Sequence, residues 1–285
     1  MNKKYSVLVN STDTYEDCWL PFFKLFNKYW KEKDVKVFLN TEEKAFKYSG
    51  LNIISTKIGY KKDNKRFSWS ESLIIALDKI DTPIVLLILD DLFLDAEVDT
   101  KMIDYLARLM IKNNYSTIYF TDQSTNGPFA DQGELLWELD QKADYRVSAL
   151  IALWDKERLK TYLRKHENPW QFEIYGTKRA HYIKDSFYTL NQDIYNINSK
   201  KVISHCNPTG ITRGKWNKEA VIELFKNNDI KIDFNKRGFY TEEKRTLKQK
   251  IMNRLNIKRL ILELRSIAEI QYLIIRNMVL NKNKI

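Results

Sequence analysis

Six consecutive apolar residues, Ile84-Val85-Leu86-Leu87-Ile88-Leu89, run straight into two aspartates, Asp90 and Asp91. A run this apolar, without polar alternation, predicts a strand covered on both faces, as in the centre of a parallel sheet sandwiched by helices. The carboxyl end of such a strand is where an open α/β sheet holds its ligands. Two adjacent carboxylates at the rim of a core are costly to desolvate unless a cation faces them. A helix cap or a plain turn is the competing explanation, since Asp serves both. A strand so fully apolar favours a site rim over a surface turn.

The rest of the chain arranges itself around that strand. Residues 5–9 predict a first buried strand with Asn10 and Ser11 at its tip, and residues 35–39 and 52–55 predict two more. Helical spacing marks residues 17–33 and 70–80; in the latter Leu73, Ala76, Leu77 and Ile80 recur at i, i+3, i+4 and i+7, with Ser70 placed as the cap. A helix at 99–113, strands at 117–120 and 146–154, and a helix at 155–165 follow. Asn168-Pro169 then opens another helix, with Pro169 as its first residue. This alternation predicts an α/β fold with a mainly parallel sheet flanked by helices. Past Lys200 the pattern predicts a short strand at 202–204, a loop at 205–216, a helix at 216–227, and a helical extension from Thr241 nearly to the end. The expected division is a catalytic unit over 1–240 and a helical tail over 241–285.

Charge sets the tail apart. The chain carries +11 overall, and residues 241–285 hold eleven Lys or Arg against four Glu, a net +7. Ile257, Leu260, Leu264, Ile267, Ile274 and Met278 mark an apolar stripe beside those cations. The tail is therefore expected to be an in-plane anchor on an anionic membrane surface or a homo-oligomer contact, with plain docking on the globular unit as the alternative. Nucleic acid is not an expected partner, because the tail has one aromatic residue, Tyr272, where base-stacking platforms need more. No run reaches the roughly 18 apolar residues of a spanning helix, and the N-terminus lacks a signal-peptide apolar region. Cys18 and Cys206 do not form a metal-ligand spacing and suit a reducing compartment. The expected location is cytoplasmic, or peripheral on the inner face of the cytoplasmic membrane.

Chemistry concentrates at three places. Asp90-Asp91 suit a hard divalent cation that grips a pyrophosphate. The 205–216 loop combines two glycines, a proline, Arg213 and Lys215, a composition suited to wrapping phosphates. The segment Asn168-Pro169-Trp170-Gln171-Phe172-Glu173 sets an acid beside two aromatic rings at a helix start. Here Leu89-Asp90-Asp91-Leu92-Phe93 resembles the LDDxF variant of the Asp-x-Asp element of GT-A glycosyltransferases that build bacterial surface polysaccharides such as capsule and lipopolysaccharide. The order of parts is similar too: Asn10-Ser11, a Ser-Trp-Ser-Glu segment (Ser68 to Glu71), the acidic pair, then the Trp-rich acidic segment.

That resemblance covers about residues 5–216 and implies a GT-A-like fold with transfer from a nucleotide-diphosphate sugar to a glycan or lipid-linked acceptor. The donor is expected on Asn10, Ser11, Asp90 and Asp91, with the cations Arg213 and Lys215 able to neutralise the diphosphate charge. Trp170, Phe172 and Asp122 would bind the acceptor. Glu173 would be the general base of an inverting reaction. It also implies a divalent metal, Mn or Mg, on Asp91 with His205. The lack of a spaced Asp-x-Asp leaves strict metal dependence open. Core packing for Phe172 and Trp170, a helix-start charge for Glu173 and a hydrogen-bonded His205 are the competing assignments. A nucleotidyltransferase is the rival enzyme, but Asn10-Ser11-Thr12-Asp13 lacks the glycine-rich phosphate loop that class shows after its first strand.

Overall fold

The computed structural model describes residues 3–120, 127–195, 200–242 and 257–282. Its strands are β1 (Tyr5–Asn10), β2 (Val37–Leu39), β3 (Ile53–Ser55), β4 (Ile84–Leu89), β5 (Thr117–Tyr119), β6 (Phe129–Gln132), β7 (Leu136–Leu139), β8 (Ala152–Asp155), β9 (Phe187–Leu190), β10 (Ile211–Thr212) and β11 (Lys215–Trp216). Its helices are α1 (Glu16–Tyr29), α2 (Trp69–Asp78), α3 (Thr100–Asn113), α4 (Lys156–Tyr162), α5 (Pro169–Ala180), α6 (Gln192–Tyr195), α7 (Lys218–Lys226) and α8 (Ile257–Lys282). The first nine strands form one sheet in the order β3-β2-β1-β4-β8-β5-β9-β7-β6. Only β7 and β8 run against the others, so the sheet is mixed but mostly parallel.

The apolar run of β4 is explained by two cores. Ile84, Leu86 and Ile88 point into one, shared with α1, α3 and α7 through Phe22, Phe26, Ile103, Met110 and Phe225. Val85 and Leu87 point into the other, shared with α2, α4 and α5 through Leu73, Leu77, Leu159 and Phe172. The result is a three-layer α/β/α arrangement with β1 and β4 at its centre.

Local signals act as expected at most boundaries. Asp99 accepts from the Met102 amide at 2.9 Å to start α3. Asn168 and Gln171 close a reciprocal capping box around Pro169 on α5. Other expectations need correction. The cap of α2 is Ser68, which has extended backbone and accepts from Glu71 N at 3.1 Å, whereas Ser70 is buried within the first turn. The strand expected at 146–154 forms only at its end, because the Arg146 guanidinium binds the carbonyls of Leu139, Asp140 and Asp185 and holds a loop there. Residues 202 and 203 are bends and no strand forms over 202–204, and Trp216, expected to open the helix at 216–227, lies in the β10–β11 hairpin. Residues 243–256 and 283–285 of the tail lie outside the described residues, and α8 covers 257–282. No described helix is long and apolar enough to cross a membrane. Cys18 and Cys206 are both buried free thiols.

Candidate active site

β1 and β4 pair in parallel with Asn10 opposite Leu89, so Ser11 and Asp90 leave the sheet side by side. The Ser11 hydroxyl donates to Asp90 Oδ2 and accepts from Trp19 Nε1 at 2.7 Å, which fixes its rotor. Burial pushes the Asp90 carboxyl well above the usual carboxylate range, and the neighbouring Asp91 charge adds to the rise. Burial also moves Asp91 up to about 6, against the pull of its own amide, the Ile211 amide and the Arg237 charge. Asp90 and Asp91 thus form a buried carboxyl pair at the carboxyl edge of the central strand, both raised above the usual carboxylate range. Two adjacent carboxylates are hard oxygen donors, the donor chemistry that a divalent ion takes.

The glycine-containing loop packs against Asp91. Gly210 N donates to Asp91 O at 2.9 Å. A Cβ at Gly210 would stand 2.2 Å from the Phe93 ring and 3.0 Å from Asp91 O, so no larger residue fits without moving the loop. Gly210→Ala is expected to cost about 1–3 kcal/mol through this overpacking, read as a fall in the urea midpoint at constant slope. The β10–β11 turn places Arg213 and Gly214 at φ 51° and 77°, a type I′ pattern. Arg213 lies over the Tyr240 ring at 5.7 Å, and Lys215 is exposed on the outward side of its strand.

The cation whose field reaches both aspartates is one that sequence reading passed over. Arg237 donates to both Asp17 carboxylate oxygens at 2.7 and 2.6 Å and to Thr14 O at 2.7 Å, and it covers the Tyr15 ring at 4.1 Å. Its Nη1 also reaches Gly214 O at 3.4 Å, tying the hairpin to the start of α1. Arg237 lies far along the chain from the loop it serves, and no local spacing marks it.

Behind the pair the rim is rigid. Asn40 Nδ2 donates to Asn10 Oδ1 and to Ser72 Oγ, both at 2.9 Å, and Thr56 Oγ1 donates to Asn40 Oδ1 at 3.0 Å. Asn10 is therefore part of a buried polar network joining β1, the end of β2 and α2. Asp13 accepts from the amides of Glu42, Glu43 and Lys44 at 3.0–3.2 Å, while Glu42 accepts from the Asp13 amide at 2.6 Å.

Glu173 reaches the same edge of the sheet by a different route. β8 runs antiparallel to β4 with Ala152 opposite Leu87, so the segment just before β8 lies at the carboxyl end of β4. Glu173 Oε1 accepts from Ser148 Oγ and Ala149 N in that segment, both at 3.0 Å. Its second oxygen, Oε2, bonds to no described residue. Trp170, three residues earlier on the same helix, is 71% exposed, whereas Phe172 is fully buried against Trp69 at 5.4 Å. The expected acceptor-stacking role therefore fails for Phe172, whose ring fills the α2–α5 core. Asp122 lies outside the described residues. His205 Nδ1 pairs with Cys206 O at 2.9 Å, and the charged side chains acting on the ring are Asp95 and Lys201 rather than Asp91. Among the described residues no cluster of three or more His, Cys, Asp or Glu is arranged to hold a metal.

No protein-family model matches the chain, and no curated protein sequence does either. Solved structures with a similar arrangement include S. aureus TarS 1–349, with a TM-score of 0.43 at 13% identity over 67% of this chain and 62% of that one. The same TarS fragment in complex with UDP gives 0.44 at 14% identity, over 65% and 59%. The apo structure of the bifunctional glycosyltransferase WbbM gives 0.33 at 12%, over 72% and 38%. The chain thus spans less than two thirds of the length of each of these proteins.

Proposed function

We propose that the chain is a glycosyltransferase that moves a sugar from a nucleotide-diphosphate donor to a glycan or lipid-linked acceptor in surface-polysaccharide synthesis, with inversion. The carrying observation is that one edge of the sheet gathers a buried carboxylate pair, a hairpin docked on it and a cation, while Glu173 is tethered to the strand beside it. In this reading Asp90 and Asp91 hold a divalent ion, which when bound supplies positive charge to the departing diphosphate. Ser11, through its bond to Asp90, keeps one carboxylate oriented. Arg213 and Lys215 on the hairpin add charge for the phosphates, and Arg237 holds the hairpin closed. Trp170 offers a face for an acceptor sugar beside Glu173, since positions three apart share a helix side. Glu173 Oε2 accepts the acceptor proton as the hydroxyl attacks the anomeric carbon.

The test is nucleotide-dependent stabilisation with manganese across pH. Asp91 titrates near 6 in the free protein. A raised carboxyl pKa means the protonated folded form is favoured, an advantage lost as pH rises through about 6; a bound cation favours the ionised form. Manganese-dependent stabilisation by a uridine or guanosine diphosphate should therefore be full at neutral pH and fall up to about tenfold in affinity per unit below about 6. Asp91→Asn should remove both the metal effect and its pH dependence. Equal affinity of the two proteins under saturating manganese would take Asp91 out of the site.

A further inference from the structure

We infer that the outward side of α8 is a docking surface for an anionic lipid bilayer. One side of this helix is already committed to the globular unit. Ser266 Oγ donates to Glu167 at 2.7 Å, Arg164 Nε donates to Glu269 at 2.8 Å, and Asn277 Nδ2 donates to Tyr182 O at 3.2 Å, with Ile270 buried between them. At about 100° per residue, Leu264, Ile267, Tyr272, Ile275, Met278 and Val279 cover an arc of roughly 140° on the other side. Every one of them is between 41% and 63% exposed.

Cations border that arc on both edges. Arg265 and Arg276 are exposed along one edge of it. Along the other, Ile274 and Met278 enter a 690 Å³ cavity that Lys142 and Lys184 also line. Lys142 sits over the Tyr182 ring there at 4.4 Å. Two acids share the cavity, Glu138 and Asp185, and Asp185 is held by Arg158 at 3.1 Å and by the Tyr162 hydroxyl at 2.7 Å. An apolar arc between two cationic borders matches a helix lying in the bilayer interface, with the arc among acyl chains and the cations at anionic headgroups.

A second copy fits less well. The arc is wider than the two-position seam of a paired helix, and pairing would set like charges against each other where opposite signs are needed. The acids of α8 that face its borders are engaged: Glu269 with Arg164, and Glu263 within the molecule. The inference does not depend on the sugar-transfer reading, because its test measures partition and not turnover.

The test is flotation of the full chain with phosphatidylcholine vesicles, pure or containing about one third phosphatidylglycerol. Wild type should float with the anionic vesicles only. Ile275→Glu with Met278→Glu should lower partition at least about tenfold, and Lys184→Glu with Arg276→Glu should lower it about tenfold. All four positions are exposed, so melting temperatures without lipid should hold. A fluorophore on Gln271→Cys, selective because Cys18 and Cys206 are buried, should shift to the blue on anionic vesicles. Absence of flotation, equal flotation with neutral vesicles, or wild-type flotation by the Ile275/Met278 variant overturns the inference. So does an unshifted label, or a self-association that the same variant abolishes while vesicles bind neither protein.

Discussion

Glu173→Gln should lower sugar transfer by about 10²–10⁴ while donor affinity stays within a few-fold. The separation follows from the two oxygens of this carboxylate doing different things. Oε1 holds Ser148 and Ala149 at 3.0 Å each, and a glutamine oxygen accepts both bonds equally well. The segment entering β8, and with it the rim beside Asp90, should keep its place. Oε2 has no bond to a described residue, and in the variant it becomes an amide NH₂ that cannot take a proton. A base facing the acceptor hydroxyl contributes little to holding a diphosphate, so titration of the donor should report a near-normal site. Steady-state turnover at saturating donor would carry the loss. Ser148→Ala is the companion: it removes one bond to Oε1 but no base, and its loss should be small beside that of the glutamine variant. Transfer near the wild-type rate in Glu173→Gln would leave the side chain as a tether only, and Asp122 or Asp131 would become the base to test.

How much of this was legible in the chain follows from the range of the forces involved. The central strand was legible because six apolar residues cannot be satisfied at a surface, and two cores do cover them. The α5 start was legible because Asn168, Pro169 and Gln171 act within four residues of one another. The packing of the 205–216 loop on Asp91 was not legible, since composition speaks only of what such a loop suits; the contact itself needs the Gly210 approach to Phe93, which spans more than a hundred residues. Arg237 was not legible at all, since its partners Asp17, Thr14 and Tyr15 lie at the opposite end of the chain. β6 escaped because this edge strand carries exposed Asp131 and Gln132 and lacks a clean apolar period, while β7 and β9 are four-residue strands too short to stand out from their surroundings. Phe172 was misassigned for a different reason. Its neighbour Trp170 points outward, and one aromatic residue in a helix start resembles another until the helix phase is known. The same holds for Ser70 and Ser68, two residues apart, of which only backbone conformation selects the cap.

Glu167→Ala should destabilise the fold by about 3–5 kcal/mol, the cost of breaking a buried ion pair by removing one partner. Glu167 and Arg179 are both completely buried, paired through 2.8 and 2.6 Å bonds, with Arg179 also donating to Tyr162 O at 2.7 Å. The pair is a junction of three helices: Ser266 of α8 donates to Glu167, Ser70 of α2 donates to its backbone carbonyl at 3.3 Å, and Arg179 belongs to α5. Removing the carboxylate leaves a buried guanidinium without its two-bond partner, and Glu269, at 3.5 Å and already held by Arg164, supplies a counter-charge without replacing those two bonds. The exposed pair Lys160–Asp78, at 2.6 Å, is the contrast, because water solvates its ions once the pair is lost. Asp78→Ala should cost less than about 1 kcal/mol. Urea unfolding of the two variants separates the cases, and a loss below about 1 kcal/mol in Glu167→Ala would mean that water enters the junction. Replacing both Glu167 and Arg179 by apolar residues of similar volume should recover most of the loss, since no lone charge remains. α5 carries Trp170 and Glu173 at its first turns, so the junction that anchors its far end also sets where these two proposed acceptor-side residues stand.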